Sequence, residues 1–230
     1  MDWPPGSGVP PWPELEASMR ARRVFLLSTT LAVAALLGSA FVTPACRDIV
    51  NGVANNEPFT GCLPISYWIR ALEDPDPTTR REAINAIANM GRDGAPAIPA
   101  LIEIGKNDDI ALRSWAISKG LGAIGPAAVP ALCEFMKDRK VRTTAVATIC
   151  QIGPEAKEAV PALTKALKDE NVWTRIMVGS ALGNIGAAAK DAVPYLIEAA
   201  KKDVEPRVRG EMLIALRNID REAAVKAGFR

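Results

Sequence analysis

Five prolines constrain this chain more than any other feature. Pro64, Pro99, Pro130, Pro161 and Pro194 recur at steps of 35, 31, 31 and 33 residues. Four of them sit in near-identical phrases: Ile98-Pro99-Ala100-Leu101, Val129-Pro130-Ala131-Leu132, Val160-Pro161-Ala162-Leu163 and Val193-Pro194-Tyr195-Leu196. A period in this range describes a stacked array of small units, each unable to bury its apolar side alone. The spacing therefore predicts a repeat rod rather than a globule around one closed core.

Each unit reads as two helices. In the third, a first helix over Val129 to Lys137 carries Leu132, Cys133 and Met136 at helical spacing. A polar turn follows, then a second helix from about Lys140 to Ile152 with Ala145, Val146, Ile149 and Ile152 as its apolar stripe. Gly153-Pro154 ends it, since glycine tolerates the left-handed cap and proline cannot continue the helix. Gly91, Gly125 and Gly186 repeat that stop, and Asp220 replaces glycine in the last unit, as a terminal repeat should differ. Between Arg113 and Gly125 the second unit is one residue longer than its counterparts, which predicts a local bulge.

A charge pattern runs with the same period. Arg80, Arg113, Arg142, Arg175 and Arg209 each start a second helix. Asp74, Asp108, Asp138, Asp169 and Asp203 precede them, by six residues in units one, four and five, five in unit two and four in unit three. An aspartate in the turn is expected to accept backbone N–H groups at the next helix start. The arginine fork is expected to reach a carboxylate in its own or the neighbouring unit. Five copies suit a ladder that sets stacking register better than chemistry at one place.

Lys-Asp after Pro-Ala-Leu, then the arginine, then an alanine-rich helix closing on Ile-Gly, resembles the HEAT repeat. More narrowly, the pattern is similar to the short HEAT-like repeats of phycobilisome bilin lyases. It covers about Pro64 to Asp220. The resemblance implies an all-α fold: an α-solenoid of about five HEAT-like hairpins that binds proteins along a concave side lined by the second helices. The chain then divides into a Pro-rich tail (1–23), one hydrophobic membrane-spanning or signal helix (24–42), a linker (43–63), the repeats (64–220) and a C-terminal cap (221–230).

Stacked second helices place equivalent residues in rows. Asn89, Ala123, Gln151, Asn184 and Asn218 stand two residues before each helix end, and Glu82, Trp115, Thr144, Met177 and Glu211 stand two after each repeat arginine. If both rows face a groove, the first forms an amide lane and the second offers Trp115 and Met177 as partner anchors. Packing between helices is the competing role for both. Trp173 and Trp68 are read as structural.

Residues 24–42 carry no charge and follow Arg20, Arg22 and Arg23. Nineteen residues make about 28 Å of helix, close to the ~30 Å hydrocarbon core of a bilayer. The flanking charge leaves the N-terminus cytoplasmic and the repeats exported, periplasmic or extracellular. A cleaved signal peptide, cut after Gly38-Ser39-Ala40 or Thr43-Pro44-Ala45, is the rival reading and also exports the repeats, and a buried soluble helix is the third. Ala45-Cys46 looks like a lipoprotein cleavage site, but Thr43-Pro44 fits that pattern poorly. On the exported side Cys46 and Cys62 could close a loop as a disulfide, or stand as unrelated thiols. Cys133 and Cys150 fall at apolar helical positions and are expected to pack.

Composition excludes several chemistries. The chain has no histidine, so a Ser-His-Asp or Cys-His centre and an imidazole-built metal site cannot form within it. The iron held by His-Glu pairs in deoxyhypusine hydroxylase, another HEAT-like enzyme, is excluded on the same ground. Net charge is +2 with no basic stripe, which argues against a nucleic-acid partner. The expected role is a non-enzymatic, membrane-anchored interaction scaffold without cofactor or metal. The alternatives are a bilin-lyase-like chromophore handler and an envelope spacer without a specific partner.

Overall fold

The computed structural model describes residues 53, 55, 57–60 and 63–229. The tail, segment 24–42, Cys46 and Cys62 lie outside the described residues, so the anchor and disulfide readings are carried by sequence alone. Two short antiparallel strands, β1 (Phe59–Thr60) and β2 (Leu63–Pro64), open the fold. They are a local departure from the all-α expectation. Pro64 ends a strand and caps the helix that follows rather than sitting inside it. The Thr60 hydroxyl donates to the Ala86 carbonyl at 3.0 Å and ties this lead-in to the first repeat.

The repeats follow as helix pairs. Repeat one is α1 (Ile65–Ala71) and α2 (Pro77–Asn89). Repeat two is α3 (Ile98–Asn107) with α4 (Ile110–Trp115), a π-helical turn (Ala116–Leu121) and α5 (Gly122–Ile124). The π turn takes up the extra residue between Arg113 and Gly125. Repeat three is α6 (Val129–Phe135) and α7 (Arg142–Ile152), each starting or ending about two residues inside the sequence expectation. Repeat four is α8 (Val160–Ala166) and α9 (Val172–Ile185), and repeat five α10 (Val193–Lys202) and α11 (Pro206–Ile219). A last helix, α12 (Arg221–Lys226), covers the end of the array, with Ala224 buried and Phe229 against the core.

The Pro-x-Leu phrase works through its leucine. Leu101, Leu132, Leu163 and Leu196 are all fully buried, each worth roughly 1.5–3 kcal/mol relative to exposure. Opposite them stand Ile87, Leu121, Ile149, Leu182 and Leu216 from the second helices, equally buried. Pro99, Pro130, Pro161 and Pro194 lie in the first turn, where a missing N–H forfeits no intrahelical bond.

Between repeats the chain does not simply loop. Gly91, Gly125, Gly153 and Gly186 take φ between 58° and 82°, then 3-10 turns run Gly91–Ala97, Gly125–Ala128, Gly153–Ala159 and Gly186–Ala192. Three residues per 3-10 turn bring every third side chain onto one line, and that line is buried alanine: Ala97, Ala128, Ala156 with Ala159, Ala189 with Ala192. The second linker is three residues, one turn, shorter than the others. Across it Arg92 Nη2 donates to both carboxylate oxygens of Glu155, at 2.7 and 2.8 Å.

Among the described residues one helical run is long and apolar enough to cross a bilayer by composition, Ile110–Phe135. Half of its apolar window is buried inside the repeats, so its apolarity belongs to the core.

Candidate functional site

The turn before each second helix is built twice over. Asp76, Asp109, Asn171 and Glu205 are the helix caps, accepting from the first-turn N–H groups of α2, α4, α9 and α11. The periodic aspartates sit one or two residues earlier and accept elsewhere: Asp74 from Asp76 N, Asp108 from Asp109 N, Asp169 from Asn171 N, Asp203 from Glu205 N, all at 2.8–2.9 Å. The expectation that these aspartates cap the helix is thereby corrected. They brace the turn and leave the cap to the next polar residue. In repeat three Asp138 combines both places, its carboxylate taking Lys140 N and its carbonyl taking Arg142 N. Every repeat arginine donates its backbone N–H to the carbonyl four residues earlier: Asp76, Asp109, Asp138, Asn171 and Glu205. That spacing of four is the constant, and the six-five-four variation reflects where the bracing aspartate falls.

The arginine side chains then run forward. Arg80 donates from Nη2 to Asp108 at 3.0 Å, Arg113 pairs with Asp138, Arg142 with Asp169, and Arg175 forks onto Asp203 at 2.8 and 2.9 Å. Arg80 Nε also lies 2.8 Å from Asp108 Oδ2 but off the hydrogen-bond direction, so that contact is electrostatic only. Each pair joins one repeat to the next. The remaining nitrogens hold the turn behind: Arg80 to the Asp74 and Pro75 carbonyls, Arg113 to Gly105, Arg142 to Met136 and Lys137, Arg175 to Asp169 and Glu170. Among the described residues Arg209, in the last repeat, hydrogen-bonds the Asp203 and Val204 carbonyls and no carboxylate. The Asp138 carboxyl is held below its usual range by the Lys140 N–H and by Arg113. Burial pushes Asp203 up, and the Arg175 fork with the Glu205 N–H outweighs it, leaving this carboxyl low as well.

The outward face of the second helices carries four positions per repeat, spaced four, three and four residues, one side of an α-helix, the last step being five across the π turn of repeat two. Of the sequence-derived rows, Asn89, Ala123, Gln151, Asn184 and Asn218 are all exposed. Asn184 turns back onto repeat three, donating to the Cys150 carbonyl at 3.1 Å and its Sγ at 3.2 Å. In the other row Glu82 is exposed and Trp115 is 38% exposed. Thr144 is half-buried, Met177 packs against the core, and Glu211 accepts from Ser180 at 2.6 Å.

Two further rows complete the face. One turn before Trp115's row stand Thr78, Ala111, Lys140, Trp173 and Arg207, all exposed. Between the original rows stand Asn85, Ser118, Ala147, Ser180 and Ile214, the last 53% exposed. Trp173, read from sequence as structural, is 60% exposed. A row drawn one helical turn before Trp115's would have found it. Trp68 packs against the core and meets Tyr67 edge-on at 5.1 Å.

The grooves lie elsewhere. A furrow of about 370 Å³ opens between repeats four and five beside Tyr195, Val204 and Lys202, and one of about 790 Å³ between repeats three and four beside Met136, Pro161 and Lys165. Both follow the first helices and the turns. Cys133 and Cys150 are half-buried free thiols against the core, each pushed up by burial, which favours the protonated form. Among the described residues no three Cys, Asp or Glu side chains gather at metal-binding spacing.

An array of helix pairs, zipped by periodic Arg–Asp bridges and presenting one continuous helical face, defines a repeat scaffold. The HEAT repeats family model matches residues 65–140 and 129–217, and the chain belongs to that family. No curated protein matches. Among solved structures, a designed armadillo repeat protein in complex with the peptide (KR)4 is 18% identical, with a TM-score of 0.51 over 71% of this chain and 87% of that one. An engineered protein is 22% identical at a TM-score of 0.50, covering 71% and 86%. The complex of CpcE and CpcF of phycocyanin lyase from Nostoc sp. PCC7120 is 22% identical at a TM-score of 0.49, covering 66% and 96%. These likenesses concern the fold.

Proposed function

We propose that this chain is a non-enzymatic scaffold that binds a partner protein along the concave, second-helix face of its repeats. Residues 24–42 hold it at a membrane, with the N-terminus cytoplasmic and the repeats on the exported side. One observation carries the binding reading: Trp115, Trp173 and Ile214 stand exposed on one helical face among hydroxyl, amide and charged side chains. Large apolar groups ringed by polar ones are the composition of an interface anchor. The four-fold repetition of the Arg–Asp pairs between repeats, and a sequence without histidine, support a role that needs no side-chain chemistry.

The test is a photo-crosslinking amino acid placed at Trp115, at Asn218 and, as control, at Glu103 on a first helix, with capture in native membranes. Adducts from the first two sites and none from the third are expected. Adducts confined to Glu103 would overturn the face assignment. Cleavage of a C-terminal tag by protease added inside the cytosolic compartment, rather than outside it, would overturn the topology.

A further inference from the structure

The leading row of the second-helix face has a chemistry of its own. Trp173 is the most exposed aromatic among the described residues. The equivalent positions on either side of it are Lys140 in repeat three and Arg207 in repeat five, both exposed. Among the described residues neither side chain forms an ion pair or a hydrogen bond. The acids nearby are already engaged: Asp138 with Arg113, Asp169 with Arg142, Glu170 with Arg139, Asp203 with Arg175, and Glu205 as the cap of α11. Thr143 bonds Thr174 at 2.8 Å and Ser180 bonds Glu211, so the three helices stand in register here and the row is continuous.

The row also has a spacing. Packed helices lie about 8–10 Å apart, so cation, aromatic and cation follow one another at roughly that interval. A β-strand returns to one face every two residues, about 6.6 Å, and falls out of step. A polyproline-II helix returns every three residues at about 3.1 Å each, or about 9.3 Å, and stays in step. Its rings suit an aromatic platform, and its backbone, with few N–H groups, asks for donors rather than acceptors. Resting on the second-helix face being the docking face, we propose that Lys140, Trp173 and Arg207 dock a partner's polyproline-II segment of pattern acidic-x-x-proline-x-x-acidic. The central proline stacks on Trp173, and the two carboxylates meet Lys140 and Arg207.

The test uses the full chain in detergent and three labelled peptides read by fluorescence anisotropy. One has two glutamates six residues apart in a proline run, one has lysines at those places, and one has the glutamates three apart. The first should bind most tightly. Charge reversal by K140E with R207E should weaken it by about 10-fold or more, with exposed pairs contributing up to about five-fold each. The same double variant should gain affinity for the lysine peptide. Trp173→Ala should weaken the first peptide without altering its salt dependence, and all three sites are exposed enough for the fold to survive, checked by circular dichroism. Equal binding of all three peptides, or none of the first, overturns the proposal. So does binding to phosphatidylserine vesicles, lost in the double variant, without peptide affinity, which would make the row a membrane contact. Crosslinks at Trp115 that persist when the peptide fails would show the partner chemistry wrong and the docking face right. Loss of both removes the face as well.

Discussion

Removal of the Arg175 side chain should damage this array more than any other single ladder change between repeats four and five. Arg175 and Asp203 are 13% and 9% exposed. The guanidinium makes two bonds to the carboxylate and two to carbonyls of its own turn. In Arg175→Ala, Asp203 keeps its charge in a largely buried place with the Glu205 N–H and the field of Arg209. Stripping one partner from a buried pair costs about 3–5 kcal/mol, and the partial water access at this edge lowers the expectation to about 2–4 kcal/mol. Adding Asp203→Asn removes the stranded charge and keeps an acceptor for Glu205 N–H, so the double variant should recover part of the loss. Arg92→Ala is the control: its bridge to Glu155 is 71% and 51% exposed and should be worth less than about 1 kcal/mol. Urea unfolding followed by circular dichroism reads all four proteins. Equal midpoints for Arg175→Ala and Arg92→Ala, or a double variant worse than Arg175→Ala, would refute the reasoning. The pair also sets an acid limb. The folded Asp203 carboxyl is held low, so its stabilisation is complete above the unfolded value of about 3.9. It is lost as pH falls through the folded value, and Arg175→Ala should flatten the unfolding profile below about pH 4.

The other expectations concern packing and capping. At Gly105 an added Cβ would meet Phe135 Cζ at 2.4 Å and Cε1 at 2.8 Å. Gly105→Ala should therefore destabilise by about 1–3 kcal/mol, despite the ~1 kcal/mol that alanine gains in a helix, and thermal melts should show Phe135→Leu suppressing the effect. Asn171→Ala removes the α9 cap bonds to Trp173 N and Thr174 N and should cost about 1 kcal/mol, read by urea midpoint. A loss as large as that of Arg175→Ala would contradict the cap assignment.

The repeat count and stacking were legible because proline, glycine and buried leucine recur at positions that favour each residue type. The π turn was legible as a single surplus residue between Arg113 and Gly125. The caps were not, because Asp74, Asp169 and Asp203 compete with Asp76, Asn171 and Glu205 for the same role. Only the backbone geometry shows that the cap is the residue four before the arginine and not the aspartate ahead of it. The 3-10 linkers carried a readable sign in Ala156 with Ala159 and Ala189 with Ala192, a period of three that an α-helical search passes over. Trp173 reads as structural because a large ring in a helix's first turn is expected to pack, whereas its exposure depends on which side of the helix the neighbouring repeats cover. The grooves beside Tyr195 and Met136 have no sequence signal, since first helices from successive repeats line them together.

Oxidative footprinting in native membranes addresses the docking face most directly, because tryptophan and methionine report solvent contact at their own side chains. With the partner bound, Trp115 and Trp173 should lose reactivity while Tyr195, in the first-helix groove, keeps it. Protection of Tyr195 with Trp115 and Trp173 unchanged would place the partner on the opposite side of the array and contradict the account.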